Sequence, residues 1–243
     1  GHYKGEQLGA CTDCRRLWGE HRGGRIDEQQ IEFINERLAP TPGTCMVMGT
    51  ASTMACMVEA MGLALPRSAT IPATHADRLR SAEASGMFAA AMAKNGGPKP
   101  SALMTEAAFR NALIVMQAIG GSTNGLIHLT AAAGRLGLKI DLDVFDRLGR
   151  DVPVLVDLKP SGDHYMEHFH WAGGVPRLMR ELQDLLDLNT PTVTGGTLRD
   201  YMATAEDVPG QTVIRPRTSP IKAMGSMAVL QGNLAPRGAI IKQ

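Results

Sequence analysis

An α/β fold, with helices around a mostly parallel sheet followed by a β-rich stretch, is what this 243-residue sequence predicts. Three observations carry the prediction. Capped runs with apolar residues at helical spacing recur from Asp27 onward. The alternating run 152–158 and the β-prone run 192–194 fall between such helices. After Pro209 helical periodicity stops, leaving short apolar runs at 227–230 and 239–241. The chain therefore divides into 1–209 and 210–243, the second part reading as the start of a β-rich domain or as a terminal hairpin.

The elements follow in order. Asp27 is a good N-cap with Gln30 three residues on, and Ile31, Ile34 and Leu38 give the helix an apolar stripe before Pro40 and Pro42 stop it. The small-residue, Met-rich run 51–61 ends at Gly62, where the left-handed conformation suits glycine. Thr105 caps a helix over 106–119, and the break Gly120-Gly121-Ser122-Thr123 opens another over 124–136, closed by Gly137. Asp141 begins a short helix, 175–188 is amphipathic, and Thr197 caps a further helix.

Composition narrows the function classes. At 44% hydrophobic and 20% charged residues the chain is not disordered, and 25 basic against 24 acidic residues create no global field for nucleic acid or an anionic membrane. An anionic substrate must be held by a local site. The apolar runs 107–119 and 126–133 are too short to cross a bilayer, and there is no signal-peptide pattern, so a cytoplasmic protein without membrane or nucleic-acid partners is expected. The sequence starts without Met and stops within a strand-like run, which gives the expectation of an internal piece of a longer protein.

Chemistry concentrates at Pro42-Gly43-Thr44-Cys45-Met46-Val47-Met48-Gly49-Thr50-Ala51-Ser52-Thr53-Met54. A cysteine in a glycine-bracketed loop before a helix can be stabilised as a thiolate and can bind a soft metal. Gly43 and Gly49 would let a bulky ligand approach, while Met46, Val47 and Met48 would exclude water. The residues alone read more simply as a buried cysteine beside a small-residue helix. Ser122, Thr123 and Asn124, at a helix start, suit either an anion such as a substrate carboxylate or a simple cap. Cys11, Cys14 and Cys56 read as structural; the C-x-x-C of the first two has no second pair to complete a zinc site. His75-Ala76-Asp77-Arg78 reads as a hydrogen-bonded surface loop, and His2, His21 and His128 form no constellation. His164-Tyr165-Met166-Glu167-His168 matches H-x-x-E-H, with His170 nearby; on a helix its two histidines would share a face and could bind zinc as in a metallopeptidase.

The Cys45 segment, with Glu59-Ala60-Met61-Gly62-Leu63-Ala64-Leu65-Pro66 after it, resembles the cluster-binding segment of the dihydroxy-acid and sugar-acid dehydratases. Gly120-Gly121-Ser122-Thr123-Asn124, Asp157-Leu158-Lys159-Pro160-Ser161-Gly162 and Gly232-Asn233-Leu234-Ala235-Pro236 resemble the same family in the same order. Thr12-Asp13-Cys14-Arg15-Arg16-Leu17-Trp18 is most similar to the branch typified by L-arabinonate dehydratase. The resemblance implies part of an N-terminal α/β cluster-binding domain over 1–209 and the opening of a β-barrel-like C-terminal domain over 210–243. It implies a [2Fe-2S] cluster with Cys45 as one of three cysteine ligands, the other two lying outside this chain, as would the Mg²⁺ ligands and the catalytic base, a serine. No catalytic residue of this chain itself is implied, and the chain alone would be inert. The implied reaction removes water from a 2,3-dihydroxy acid such as a pentonate, giving a 2-keto-3-deoxy acid, in a homodimer or homotetramer. The alternatives are the branched-chain amino-acid pathway dehydratase, a zinc metallopeptidase through His164, Glu167 and His168, and a non-catalytic α/β interaction module.

Overall fold

The computed structural model describes residues 1–9 and 11–243. A small N-terminal unit comprises β1 (His2–Tyr3), β2 (Glu6–Gln7), α1 (Thr12–Arg22) and α2 (Glu28–Leu38). It has a core of its own, Leu8, Leu17, Ile31 and Ile34. The capping box expected at α2 is present, with the Asp27 carboxylate accepting from the Gln30 N–H at 2.7 Å and the Gln30 side chain accepting from the Asp27 N–H at 3.1 Å.

The main body is built on α3 (Thr50–Ala60), α4 (Ala76–Asn95), α5 (Pro100–Leu103) and α6 (Glu106–Ala118). It continues through α7 (Asn124–Arg135), α8 (Leu142–Asp151), α9 (Met166–Trp171), α10 (Gly174–Glu181) and α11 (Leu198–Ala203). Helix α6 is its axle: from Ala108 to Ala118 every residue except Arg110 is buried, the signature of a helix surrounded by protein rather than lying on a surface. Thr105 accepts from the Ala108 N–H at 3.2 Å and fixes where α6 starts. Helix α3 packs across it, contributing Cys56, Met57 and Ala60, all fully buried.

The strand reading needs correction. Among the described residues the sheets are two antiparallel pairs, β1–β2 and a C-terminal hairpin of β3 (Met227–Gly232) and β4 (Ala235–Lys242); the expected parallel sheet does not form. The run 152–158 is extended and mostly buried, as its alternation suggests, yet it makes only isolated bridges. The reason lies in its partners. Its N–H groups go to a helix end and to irregular segments: Leu155 to the Ala118 carbonyl at 2.9 Å, Asp157 to Val213 at 2.9 Å and Val154 to Lys222 at 3.0 Å. Burial without a neighbouring strand gives no ladder. The run 192–194 is likewise a turn, tied by Thr192 N–H to the Gly196 carbonyl at 2.9 Å.

Two helices also depart from expectation. The amphipathic run 175–188 is helical only to Glu181, because α6 captures the following backbone: the Asn111 side chain donates to the Asp187 carbonyl at 2.8 Å and accepts from the Asp187 N–H at 2.9 Å. Residues 75–78, read as a loop, instead open α4, a helix of 20 residues of which none is buried. Seven alanines supply its helical propensity, and Gly96 closes it in the left-handed conformation at φ +71°. With no buried stripe there is no periodicity to read.

The stretch 210–243 shares the main core through Val213, Ile214 and Met227. Gln117 fastens it: the buried amide accepts from the Met227 N–H at 2.9 Å and donates to the Met227 carbonyl at 3.2 Å. A Cβ at Gly225 would stand 2.5 Å from the Gln117 Oε1 and 3.0 Å from the Gly149 Cα, so a side chain there would push the Gln117 amide from its place beside Met227.

Candidate metal-binding site

Cys45 sits in the loop between α2 and α3, and that loop is held from several sides. The Met48 N–H donates to the Lys159 carbonyl at 2.8 Å, and the Met166 N–H donates to the Met46 carbonyl at 2.8 Å, so the segment 159–166 clasps the residues just after the cysteine. Gly43 has φ +119°, and a Cβ there would lie 2.6 Å from the Ala73 Cβ, so a side chain is excluded by both conformation and space. Val47 and Met48 are buried beneath, anchoring the loop, while Cys45 itself is half-buried at its rim.

The sulfur of Cys45 lies 3.6 Å from that of Cys11, and no disulfide joins them. Cys11 is exposed, not buried as the structural reading would have it, and its hydrogen bond with Cys45 holds its thiol above the ordinary pKa. Cys14, one turn along, is half-buried. Cys56 is the one that follows the core reading: fully buried in α3, with burial pushing its thiol strongly up.

Beside the two thiols runs a polar seam that sequence reasoning did not assign. The buried Asp13 carboxylate accepts from the Gly9 N–H at 2.6 Å and faces Arg16 at 3.3 Å and the Lys159 ammonium at 3.7 Å. Lys159 also lies 4.9 Å over the Tyr165 ring, and Tyr165 first and Asp13 second raise its pKa. The Tyr165 hydroxyl donates to the Gln7 carbonyl at 2.7 Å. These contacts close the N-terminal unit onto the Cys45 loop. The available signal was the pair of motifs at 12–18 and 157–162, which contain Asp13 and Lys159 and whose meeting is nonlocal.

Ser122, Thr123 and Asn124 lie where α7 begins against α3. The Ser122 hydroxyl accepts from the Asn124 N–H at 3.3 Å and meets the Thr50 hydroxyl at 3.2 Å; the Asn124 amide donates to the Thr50 Oγ1 at 2.9 Å. The Ser122 N–H donates to the Thr53 hydroxyl at 2.9 Å. Thr123, the residue before α7, makes no side-chain cap. Five residues after Cys45, Thr50 thus joins the start of α3 to this cluster.

The H-x-x-E-H motif assembles no three-donor metal site among the described residues. Helix α9 begins at Met166, so His164 precedes it; the His164 and His168 rings still meet edge to face at 5.4 Å, but among the described residues no third donor joins them. Each member is committed elsewhere: His168 Nδ1 accepts from the Tyr165 N–H at 3.2 Å as a cap, Glu167 faces His75 at 3.5 Å, and His164 faces Asp157 at 3.7 Å. His170 is buried against the Thr70 hydroxyl at 3.0 Å, and burial lowers its pKa. Arg78, from the supposed loop, reaches back from α4 to the Ser68 and Ile71 carbonyls.

A model of the family described as dihydroxy-acid/6-phosphogluconate dehydratase, N-terminal, matches residues 2–201. The chain belongs to this family. Among its curated relatives, a dihydroxy-acid dehydratase of Caldicellulosiruptor bescii is 41% identical over 93% of this chain, which covers 41% of that protein. Dihydroxy-acid dehydratases of Rippkaea orientalis and Cytophaga hutchinsonii are 39% and 41% identical over the whole chain, which covers 44% and 43% of their lengths. The chain therefore spans less than half the length of these relatives. Among the described residues no helix is long and apolar enough to cross a membrane.

The donor set fits the cluster that the family resemblance implies in one respect and limits it in another. Thiolates are the donors that iron–sulfur chemistry takes, and the half-buried Cys45 stands at the rim of a fixed loop, not in a sealed core. Among the described residues, however, no three His, Cys, Asp or Glu side chains converge to hold a metal by themselves. A cluster at Cys45 needs ligands from elsewhere in the protein.

Proposed function

We propose that this chain is the part of an iron–sulfur hydro-lyase that supplies Cys45 as one ligand of a [2Fe-2S] cluster, in a protein that removes water from a 2,3-dihydroxy acid. The observation that carries the reading is the Cys45 sulfur itself, accessible at the end of a loop clasped by the 159–166 segment within a dehydratase-family domain. When bound, a cluster with an open iron site supplies a Lewis acid for the departing C3 hydroxyl. The chain's own residues hold and place. Gly43 and the two backbone clasps set where the Cys45 sulfur lies, and buried Val47 and Met48 keep water from its inner side. Ser122, Thr123 and Asn124 are the proposed contacts for a substrate oxygen or carboxylate, with Thr50 linking them to the loop's helix. The Mg²⁺ ligands and the serine base are assigned to sequence outside this chain, as are the remaining cysteines. Residues 210–243 are proposed as the opening of a second, β-rich domain, and the protein is proposed to act as a cytoplasmic homodimer or homotetramer.

The substrate is a dihydroxy acid; two classes compete within that statement. The Thr12–Trp18 motif favours a sugar acid such as a pentonate; the alternative is the branched-chain amino-acid pathway substrate, and the relatives' names, dihydroxy-acid dehydratase, are compatible with both. Both readings are tested on the intact protein reconstituted anaerobically with iron and sulfide. Wild type should bind the cluster and convert one class of acid to its 2-keto product, and Cys45→Ser should lose the visible cluster absorption and at least about 100-fold in rate, the upper end of what loss of a mere outer-shell partner costs. Unchanged absorption in Cys45→Ser would defeat the ligand assignment. Preference for branched dihydroxy acids over aldonic acids would defeat the sugar-acid reading alone.

A further inference from the structure

Cys11 is the residue that the proposed function leaves unused. It lies 34 positions before Cys45 in the sequence, its sulfur is 3.6 Å from that of Cys45, and its side chain is exposed. The two thiols come from different structural units, one at the start of α1 and one in the loop before α3. Among the described residues no third metal donor joins them, so the pair is better arranged to react with itself than to hold an ion alone. A disulfide requires the sulfurs to approach to about 2.05 Å, a closure of roughly 1.5 Å from the present separation, and an exposed partner to meet the oxidant.

We infer that Cys11 and Cys45 form a reversible disulfide when the protein lacks its cluster, and that this bond withholds Cys45 from iron. The inference rests on the reading of Cys45 as a cluster ligand. The oxidant is a small-molecule disulfide of the glutathione type. The Cys11 thiol gives its proton to solvent, and its thiolate attacks one sulfur of the oxidant, forming a mixed disulfide and expelling one thiolate, which takes up a proton. The Cys45 thiolate then attacks the Cys11 sulfur, forming the protein disulfide and releasing the second small thiol. Two electrons leave the protein and reduce one small disulfide to two thiols. An excess of small thiol reverses both steps.

The test uses the intact protein stripped of iron, treated with oxidised glutathione and mapped by mass spectrometry without reduction. Wild type should yield one linked peptide pair joining Cys11 to Cys45 with loss of two hydrogens. Cys14→Ser should keep the link and Cys11→Ser should lose it. The oxidised wild type should take up at least tenfold less iron on reconstitution, with uptake restored by dithiothreitol. Glutathione adducts without the link, or a link between Cys11 and Cys14, would overturn the inference while leaving the cluster reading intact. A Cys45→Ser protein that still loads its cluster would overturn it from beneath, by removing the ligand that the disulfide is said to withhold.

Discussion

The loop that carries Cys45 and the helix that carries Cys56 lie next to one another in the chain and treat the same side chain in opposite ways. In α3, Cys56 is sealed among Met57, Ala60 and the residues of α6, with burial driving its thiol away from ionisation. In the loop, Cys45 stands at the rim beside an exposed second thiol, supported underneath by Val47 and Met48 and pinned through backbone hydrogen bonds. The helix spends its cysteine on packing; the loop keeps its cysteine available. Reactivity here follows from which backbone groups are immobilised and which sulfur faces outward, more than from the residue type.

The contrast can be broken in several ways. The largest effect should be chemical: under native conditions iodoacetamide should label Cys11 and Cys45 but spare Cys56, which reacts only through opening of the core, so their rates should differ by at least about 1,000-fold. Comparable rates, read by peptide mapping, would show that α3 is loosely packed. Next, Met57→Ala, which empties a fully buried position of α3, should cost about 2–5 kcal/mol in chemical denaturation.

Glu59 sharpens the comparison through pH. Its fully buried carboxyl accepts from the Arg67 N–H at 2.7 Å and the Ala69 N–H at 2.9 Å, and burial pushes its pKa up to about 7 from 4.5. Because the folded state then binds the proton more tightly than the unfolded state, this group's contribution is fully present below about pH 4.5 and is lost as pH rises through about 7. Wild-type stability should carry that falling component, and Glu59→Gln should flatten it, at the expense of one hydrogen bond worth about 1 kcal/mol. An unchanged slope in the variant would assign the pH dependence to other groups. The smallest effect should be at the loop's outer face: Thr44→Ala, at an exposed residue beside Cys45, should change stability by less than about 0.5 kcal/mol.

What could be read from the sequence was what is settled within a few residues. The Asp27 and Gln30 box, the Thr105 cap and the glycines at 62 and 137 are short-range devices, and each appears where its spacing places it. Helix α4 escaped because its stability owes nothing to a buried face. The parallel sheet failed for the opposite reason: the run 152–158 has the burial of a core strand, but its bonding partners around 118, 213 and 222 are chosen by the tertiary fold. The cysteine loop was legible from its glycines and its family motif. The approach of Cys11 was not, since a contact across 34 residues leaves no periodic trace.

The Gln117 amide and its partner Met227 are separated by 110 residues. At typical synthesis rates of about 5–20 residues per second, a nascent chain carries that amide for on the order of ten seconds before its mate is made. During this interval the end of the central helix must keep its polar group wet or borrow another acceptor. Closure over so long a span then belongs among the late events of folding.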